Sequence, residues 1–494
     1  MKTTVLHQLK SAGYTQDGMG YLIQFKSGQI ALIDGGMLED APIILELLKK
    51  ISDQKIPTVD YWFITHPHMD HDFALIGMGE NYSEKIRVKR VLYDFPDDDF
   101  YKHTEPVIVN ELKRMEAAID RFDGVERIKI KSGDRFYFGE DFIDVLYTAS
   151  DLPPFENAPI AQCVNDISAV LRLQSEGQKL LFLGDVVDAG NRILIDRYGK
   201  DLKSDVVQMA HHGGKGSTEE FYSYVDPEIL LWPISEPLFW PLYNVIEVNK
   251  KLMAMNVKDI VLAGHGLRSM PLPIKPSVAP FLPQAGFPPM EVRAAIKKAS
   301  FEPSLDDLFC EVWDEAEPLD AFCSYEGKRN KTQAEYKLLW TDDALWFRAQ
   351  VKAPTLISDP DCHASTNSNN IRLHLCERLM DDIKMNWARL FGDEFLRDLR
   401  IYPEEKNLPF AKAFNSNPSR CTSFGKTTDD TMIYLAKINF AKPHKKGDII
   451  GFHAELNMIS EYKGYYTLRA MLSSAVHGQM YRYCPAGLPR WELD

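Results

Sequence analysis

The segment His66-Pro67-His68-Met69-Asp70-His71 constrains this chain more than any other feature. Three histidines and an aspartate fall within six residues, directly after the apolar run 59–65, which reads as a buried strand. Imidazole and carboxylate are borderline-hard donors suited to zinc, iron or manganese. On an extended loop the i, i+2 spacing lets His66 and His68 face one ion, and Asp70 and His71 can then face a second. A polar surface loop accounts for a lone histidine, but not for four such donors at the mouth of a strand, where α/β folds place their chemistry.

The surrounding pattern supplies a scaffold for that loop. Residues 20–25 and 30–36 read as a hairpin around Lys26-Ser27-Gly28-Gln29, ending on Asp34-Gly35-Gly36. A helix is expected at 41–51, an amphipathic helix at 106–119, and strands at 87–93, 127–131, 142–147, 168–173 and 179–183. After Gly184-Asp185, strands and helices alternate through 205–210, 219–225, 228–232, 244–255 and 259–263. Hairpins first and alternation later predict an α+β class with two mixed sheets stacked face to face and helices outside.

Seven prolines between Pro271 and Pro289 exclude a helix or central strand and mark an extended connector. The expected division is therefore a first domain at 1–270, a linker at 271–300 and a second domain at 301–494. In the last of these, strands are expected at 335–340, 344–351, 370–375, 432–440 and 449–456. Helices are sparse there, which predicts a mostly-β sandwich. Trp340, Trp346, Trp387 and Trp491 are candidates for stacking on a sugar, although aromatic residues on strands more often fill a core.

The His-x-His-x-Asp-His arrangement resembles the signature of the metallo-β-lactamase superfamily, and the likeness runs over roughly residues 5–270. It implies the four-layer αββα fold, in which Asp34-Gly35-Gly36 holds the metal loop, Asp185 bridges two metals and a later histidine completes the second site. His265, in Gly264-His265-Gly266, stands where that last ligand usually falls. No histidine lies between His103 and His211, where many members place the third ligand of the first metal. The chain reads Val164-Asn165-Asp166-Ile167-Ser168 instead, and His211-His212-Gly213 follows the strand at 205–210. Both features resemble a subgroup that includes the hydrolase domain of competence proteins and the phosphorylcholine esterases.

The resemblance implies a metal-dependent hydrolase using activated water, with two divalent ions, zinc first and manganese or iron as alternatives. The expected metal ligands are His66, His68, Asp70, His71, Asp185, His211 and His265, with Asp70 and His212 as catalytic groups. A phosphodiester or phosphocholine-type ester is the first substrate expectation, and a lactone or thioester the second. A catalytically degenerate carbohydrate- or cell-surface-binding protein is the alternative from another class. The C-terminal region resembles, more loosely, family-nine carbohydrate-binding modules, through Trp313-Asp314-Glu315-Ala316, Asn370-Ile-Arg-Leu-His-Leu and Lys446-Gly447-Asp448.

Composition narrows the partners. The net charge of −14 disfavours nonspecific nucleic-acid binding and favours a small or neutral ester. No stretch reads as a membrane span, and seven cysteines without a CxxC pair fit reduced thiols. A cytoplasmic location is expected, secretion only if a leader has been removed.

Overall fold

The computed structural model describes residues 3–10, 18–154, 162–235, 239, 242–243, 246–281, 292–307, 309–320, 322–323, 334–352, 370–377, 395–401, 407–409, 418–428, 431–459, 466–471 and 490–494. They divide into two compact units, Met1–Ala285 and Gly286–Asp494.

In the first unit the chain runs through β1 (Val5–Gln8), β2 (Gly20–Gln24), β3 (Ile30–Asp34), α1 (Ala41–Ile51), β4 (Thr58–Val59), β5 (Tyr61–Phe63), α2 (Met69–Tyr82), β6 (Arg87–Val88), β7 (Arg90–Tyr93), α3 (Asp98–Thr104), α4 (Ile108–Ile119) and β8 (Glu126–Lys129). It continues through β9 (Arg135–Phe138), β10 (Asp141–Tyr147), β11 (Val170–Ser175), β12 (Gln178–Phe182), α5 (Asp188–Tyr198), β13 (Val206–Gln208), α6 (Glu219–Val225), β14 (Ile229–Trp232), α7 (Glu247–Met253), β15 (Asp259–Leu262) and β16 (Arg268–Pro271).

One sheet has the order β16-β1-β2-β3-β5-β7-β8 and the other β15-β14-β13-β12-β11-β10-β9. Hairpins make β1-β2-β3 and β9 to β12 antiparallel. Helical crossovers make β3-β5-β7-β8 and β12 to β15 parallel. Leu6, Tyr21, Ile33, Phe63 and Leu92 of one sheet join Ile143, Leu171, Phe182, Val206 and Leu231 of the other in one core. Removing each such side chain from water contributes about 2 kcal/mol before entropy is counted. Helices flank this pair of sheets, giving the four-layer αββα arrangement. The apolar stripe of α1 buries Ile44, Leu45 and Leu48, while Lys49 and Lys50 are exposed at its C-terminal end, where the helix dipole favours cations.

Helix α2 begins inside the histidine motif, where the sequence pattern suggests an extended loop throughout. It is buried continuously from His71 to Gly79, so no amphipathic stripe announces it. Gly79 lets α4 approach closely, since a Cβ there would lie 2.3 Å from the Ala118 carbonyl oxygen.

The second unit is sheet-rich. Its main hydrogen-bonded path passes through Asn407–Pro409, Phe395–Ile401, Asn370–Cys376, Ile449–Ile459, Arg490–Leu493, Val292–Lys298, Ala334–Thr341, Ala344–Lys352, Thr431–Asn439 and Cys421–Thr428. Leu373, Leu399 and Phe452 from one end of that path share a core with Leu338, Phe347 and Tyr434 from the other. The path therefore closes over itself as a sandwich. Trp340, Trp346 and Trp491 are 1%, 3% and 2% exposed, so they fill the interior and present no face to a sugar. Trp387 lies outside the described residues.

Candidate metal centre

The parallel halves of the two sheets bring their carboxyl ends together, and the candidate ligands stand on the segments leaving those ends. Asp34 ends β3, His66 and His68 lie on the loop after β5, and Asp70 and His71 occupy the first turn of α2. Asp185 follows β12, and His211-His212 follow β13.

The side chains gather as two groups. His66, His68 and Asp185 offer donor atoms within 4.8 Å of one another, and so do Asp70, His71 and His212. Asp185 faces both groups. Its Oδ2 lies 3.8 Å from His66 Nε2 and 4.0 Å from His211 Nε2, while its Oδ1 lies 3.2 Å from His71 Nε2 and 3.7 Å from His212 Nε2. Although buried, Oδ1 makes no well-formed hydrogen bond. His66 Nε2 and His68 Nδ1 approach to 2.9 Å, and His71 Nε2 and His212 Nε2 to 3.2 Å. Paired imidazole nitrogens beside an orphaned carboxylate oxygen fit a cation between them, and the nitrogen and oxygen donors suit zinc, manganese or iron.

The electrostatics point the same way. Burial opposes a charge on His71, but Asp185, Asp34 and Asp70 outweigh it and hold the imidazole well above its usual range. Burial likewise opposes His212, yet Asp185 and Asp70 push it up to about 9. Against burial, His71 and His212 bring Asp70 down to about 2, and with His211 they hold Asp185 well below the usual carboxylate range. Carboxylates that retain protons on neighbouring imidazoles will attract divalent cations for the same reason.

Second partners set the tautomers. Asp34 Oδ2 accepts from His71 Nδ1 at 2.8 Å and from the Thr65 hydroxyl at 2.8 Å, and its Oδ1 accepts from Thr65 N at 2.7 Å. His212 Nδ1 lies 2.6 Å from the Pro233 carbonyl, and His211 Nδ1 lies 3.2 Å from that of Lys215. With those nitrogens donating, the neutral rings of His71 and His212 keep on Nε2 the lone pair that a metal needs.

Strain marks the His211-His212 loop. Both residues have positive φ, 51° and 52°, a conformation costing about 1–2 kcal/mol per non-glycine residue. Trp232 Nε1 donates to the His212 carbonyl at 2.7 Å, and Asn249 Nδ2 donates to that of Gly213 at 2.7 Å, which offsets the strain. Gly213 has φ 79°, and a Cβ there would sit 2.4 Å from the Trp232 ring. The loop therefore requires glycine in third place.

Placement within the pair differs from the sequence expectation. His212, 6% exposed, sits inside the Asp70–His71 group, whereas His211 stands half-exposed at the rim, 3.3 Å from Asn165 Nδ2. His265 is exposed, packs edge-on against Phe281, and is in neither group. Two contributors had no sequence signal. Glu105, 37 residues beyond His68, lies 3.3 Å from His68 Nε2, and the acceptor for His212 is a backbone carbonyl.

Residues 16–231 match the family model described as the metallo-beta-lactamase superfamily. This chain carries a metallo-β-lactamase superfamily domain. Both donor groups lie within the matched residues. ComE operon protein 3 of Bacillus subtilis (strain 168) is similar, with 28% identity over 183 residues, 37% of this chain. The match spans about a fifth of that relative's length, 21%. Among solved structures, a family 9 carbohydrate-binding module from Caldicellulosiruptor kristjanssonii in complex with glucose shows 19% identity over 41% of this chain and 96% of its own, TM-score 0.34. The short form of human tRNase Z shows 15% identity over 46% of this chain and 90% of its own, TM-score 0.27. CmlA, a diiron β-hydroxylase from Streptomyces venezuelae, shows 14% identity over 47% of this chain and 44% of its own, TM-score 0.28. Among the described residues, no helix is long and apolar enough to cross a membrane.

Proposed function

We propose that this protein is a two-metal phosphodiesterase or phosphocholine-type esterase acting on a small ester. The observation that carries the reading is the orientation of Asp185, whose two oxygens face two separate donor groups. His66, His68 and Asp185 would hold one ion. Asp70, His71, His212 and Asp185 would hold the other, zinc being the first candidate for both. The phosphodiester assignment is supported by the Asn165-x-x-Ser168 and His211-His212-Gly213 segments, which resemble the subgroup that favours such esters, and the acidic net charge supports a small substrate.

Divalent ions at such a site supply Lewis acidity toward the phosphoryl oxygen and bring the pKa of water toward neutrality. The chain's own groups do the rest. Asp70, ionised at neutral pH, takes up the proton of the attacking water. Half-exposed His211, its Nε2 toward Asn165 and Asp185, is placed to protonate the departing oxygen. This exchanges the roles expected from sequence: His212 becomes the ligand, and His211 the group nearer the substrate.

The test combines metal analysis with chromogenic phosphodiester, phosphomonoester, phosphorylcholine, lactone and thioester substrates. Two retained metal equivalents and phosphodiester turnover are expected. His212→Ala is expected to lose a metal equivalent, and Asp185→Asn to weaken both. Lactone or thioester turnover alone would overturn the substrate assignment. A chain that takes up no metal would favour the degenerate binding protein.

A further inference from the structure

We infer that Glu105 is a positioning residue for the metal centre, acting through His68. The inference rests on the functional reading above and assigns a role to a residue outside both donor groups. Four of the five clustered histidines have their outer nitrogen, Nδ1, against an acceptor: Thr65 Oγ1 for His66, Asp34 for His71, Lys215 O for His211 and Pro233 O for His212. Each of these therefore presents Nε2 inward.

His68 is turned the other way. Its Nδ1 faces inward, 2.9 Å from His66 Nε2, and its Nε2 faces outward, 3.3 Å from Glu105 Oε2. Neutral imidazole carries a single N–H. With the Glu105 carboxylate accepting from Nε2–H, the lone pair is fixed on Nδ1, where the first ion needs it. Among the described residues no other hydrogen-bond acceptor meets His68 Nε2, and a proton on Nδ1 would block ligation.

The carboxylate is built into place. Pro106 disfavours helical backbone at Glu105, which caps α3 with φ −138° and ψ 87°. Tyr101, four residues before it, and Ile108, three residues after it, are buried in one apolar cluster with Val164 and Ile167. Those two residues flank the segment carrying Asn165, so one small core positions Glu105 and Asn165 together. Glu105 itself is half-exposed, so replacing it leaves that core intact.

The experiment is a cobalt(II) titration of the metal-free full-length chain, following visible absorption and competing with a chelator, for wild type, Glu105→Ala and Glu105→Gln. Urea unfolding of each metal-free protein serves as the folding control. In Glu105→Ala, one of two binding steps is expected to weaken tenfold to a hundredfold, as loss of an outer carboxylate partner does, while the other step and the unfolding midpoint stay at wild type. Glu105→Gln, which retains a neutral acceptor, is expected to recover most of the loss. Wild-type affinity at both steps in Glu105→Ala overturns the inference and leaves the two-metal reading standing. Equal weakening of both steps also overturns it, showing general loosening. A wild-type chain that binds no cobalt overturns the functional reading itself.

Discussion

Asp34 is the buried residue on which the metal loop turns, and replacing it separates its two tasks. Its carboxylate is fully buried and accepts three hydrogen bonds, from Thr65 N, the Thr65 hydroxyl and His71 Nδ1. Asp34 has φ 53°, which asparagine tolerates, so Asp34→Asn preserves the backbone and the acceptor at Oδ1. The new amide faces the Thr65 hydroxyl, which can rotate to accept, and His71 Nδ1–H, which cannot. His71 must then move its proton to Nε2, the nitrogen 3.2 Å from Asp185. One charge-assisted hydrogen bond between buried groups is lost, about 1.5–3 kcal/mol, and metal affinity falls about tenfold to a hundredfold. Asp34→Ala strands all three donors at about 1–3 kcal/mol each and, with partial relaxation, costs about 3–6 kcal/mol in total. Urea unfolding in the presence of chelator reads the stability, and chelator competition reads the metal. Wild-type midpoint and affinity in Asp34→Asn would refute the claim that this carboxylate sets the His71 tautomer.

Gly213→Ala meets both a positive φ and the Trp232 ring, and is expected to cost about 2–4 kcal/mol, whereas Gly28→Ala, at φ 88° with open space around it, costs about 1 kcal/mol; equal unfolding midpoints for the two would discount the steric argument. Burial lowers the pKa of His7 from 6.5 to about 4, so the unfolded chain binds the proton more readily between those values. Stability is therefore fully present above about pH 6.5 and falls by up to about 3 kcal/mol as pH drops toward 4. His7→Gln should flatten that part of the profile, and a slope unchanged from wild type would count against it. In the second unit, Glu377 is fully buried against Arg420, His444 and the Ala441 amide, so Glu377→Gln is expected to cost about 3–5 kcal/mol, read as a lower melting temperature by calorimetry.

Much of this protein is determined by local pattern. The helix expected at 41–51 forms over Ala41–Ile51, because its apolar residues recur on one face and lysines close its end. The strands of both sheets follow runs of apolar residues bounded by turns, and the histidine motif identifies the chemistry because so many donors rarely meet by chance. Periodicity could not reveal α2, which is buried on nearly every side. Spacing could not decide between His211 and His212 either, since adjacent residues on a left-handed turn point in different directions and only Trp232, Asn249 and the Pro233 carbonyl select which one turns inward. His265 follows a strand as a ligand would, yet its turn leaves it against Phe281. The contribution of Glu105 depends on an elbow between α3 and α4 that a separate apolar cluster presses toward His68. Donor identity is a local property that residue types carry, whereas the direction in which each donor points depends on packing between segments far apart in the chain, and only the tertiary structure decides it.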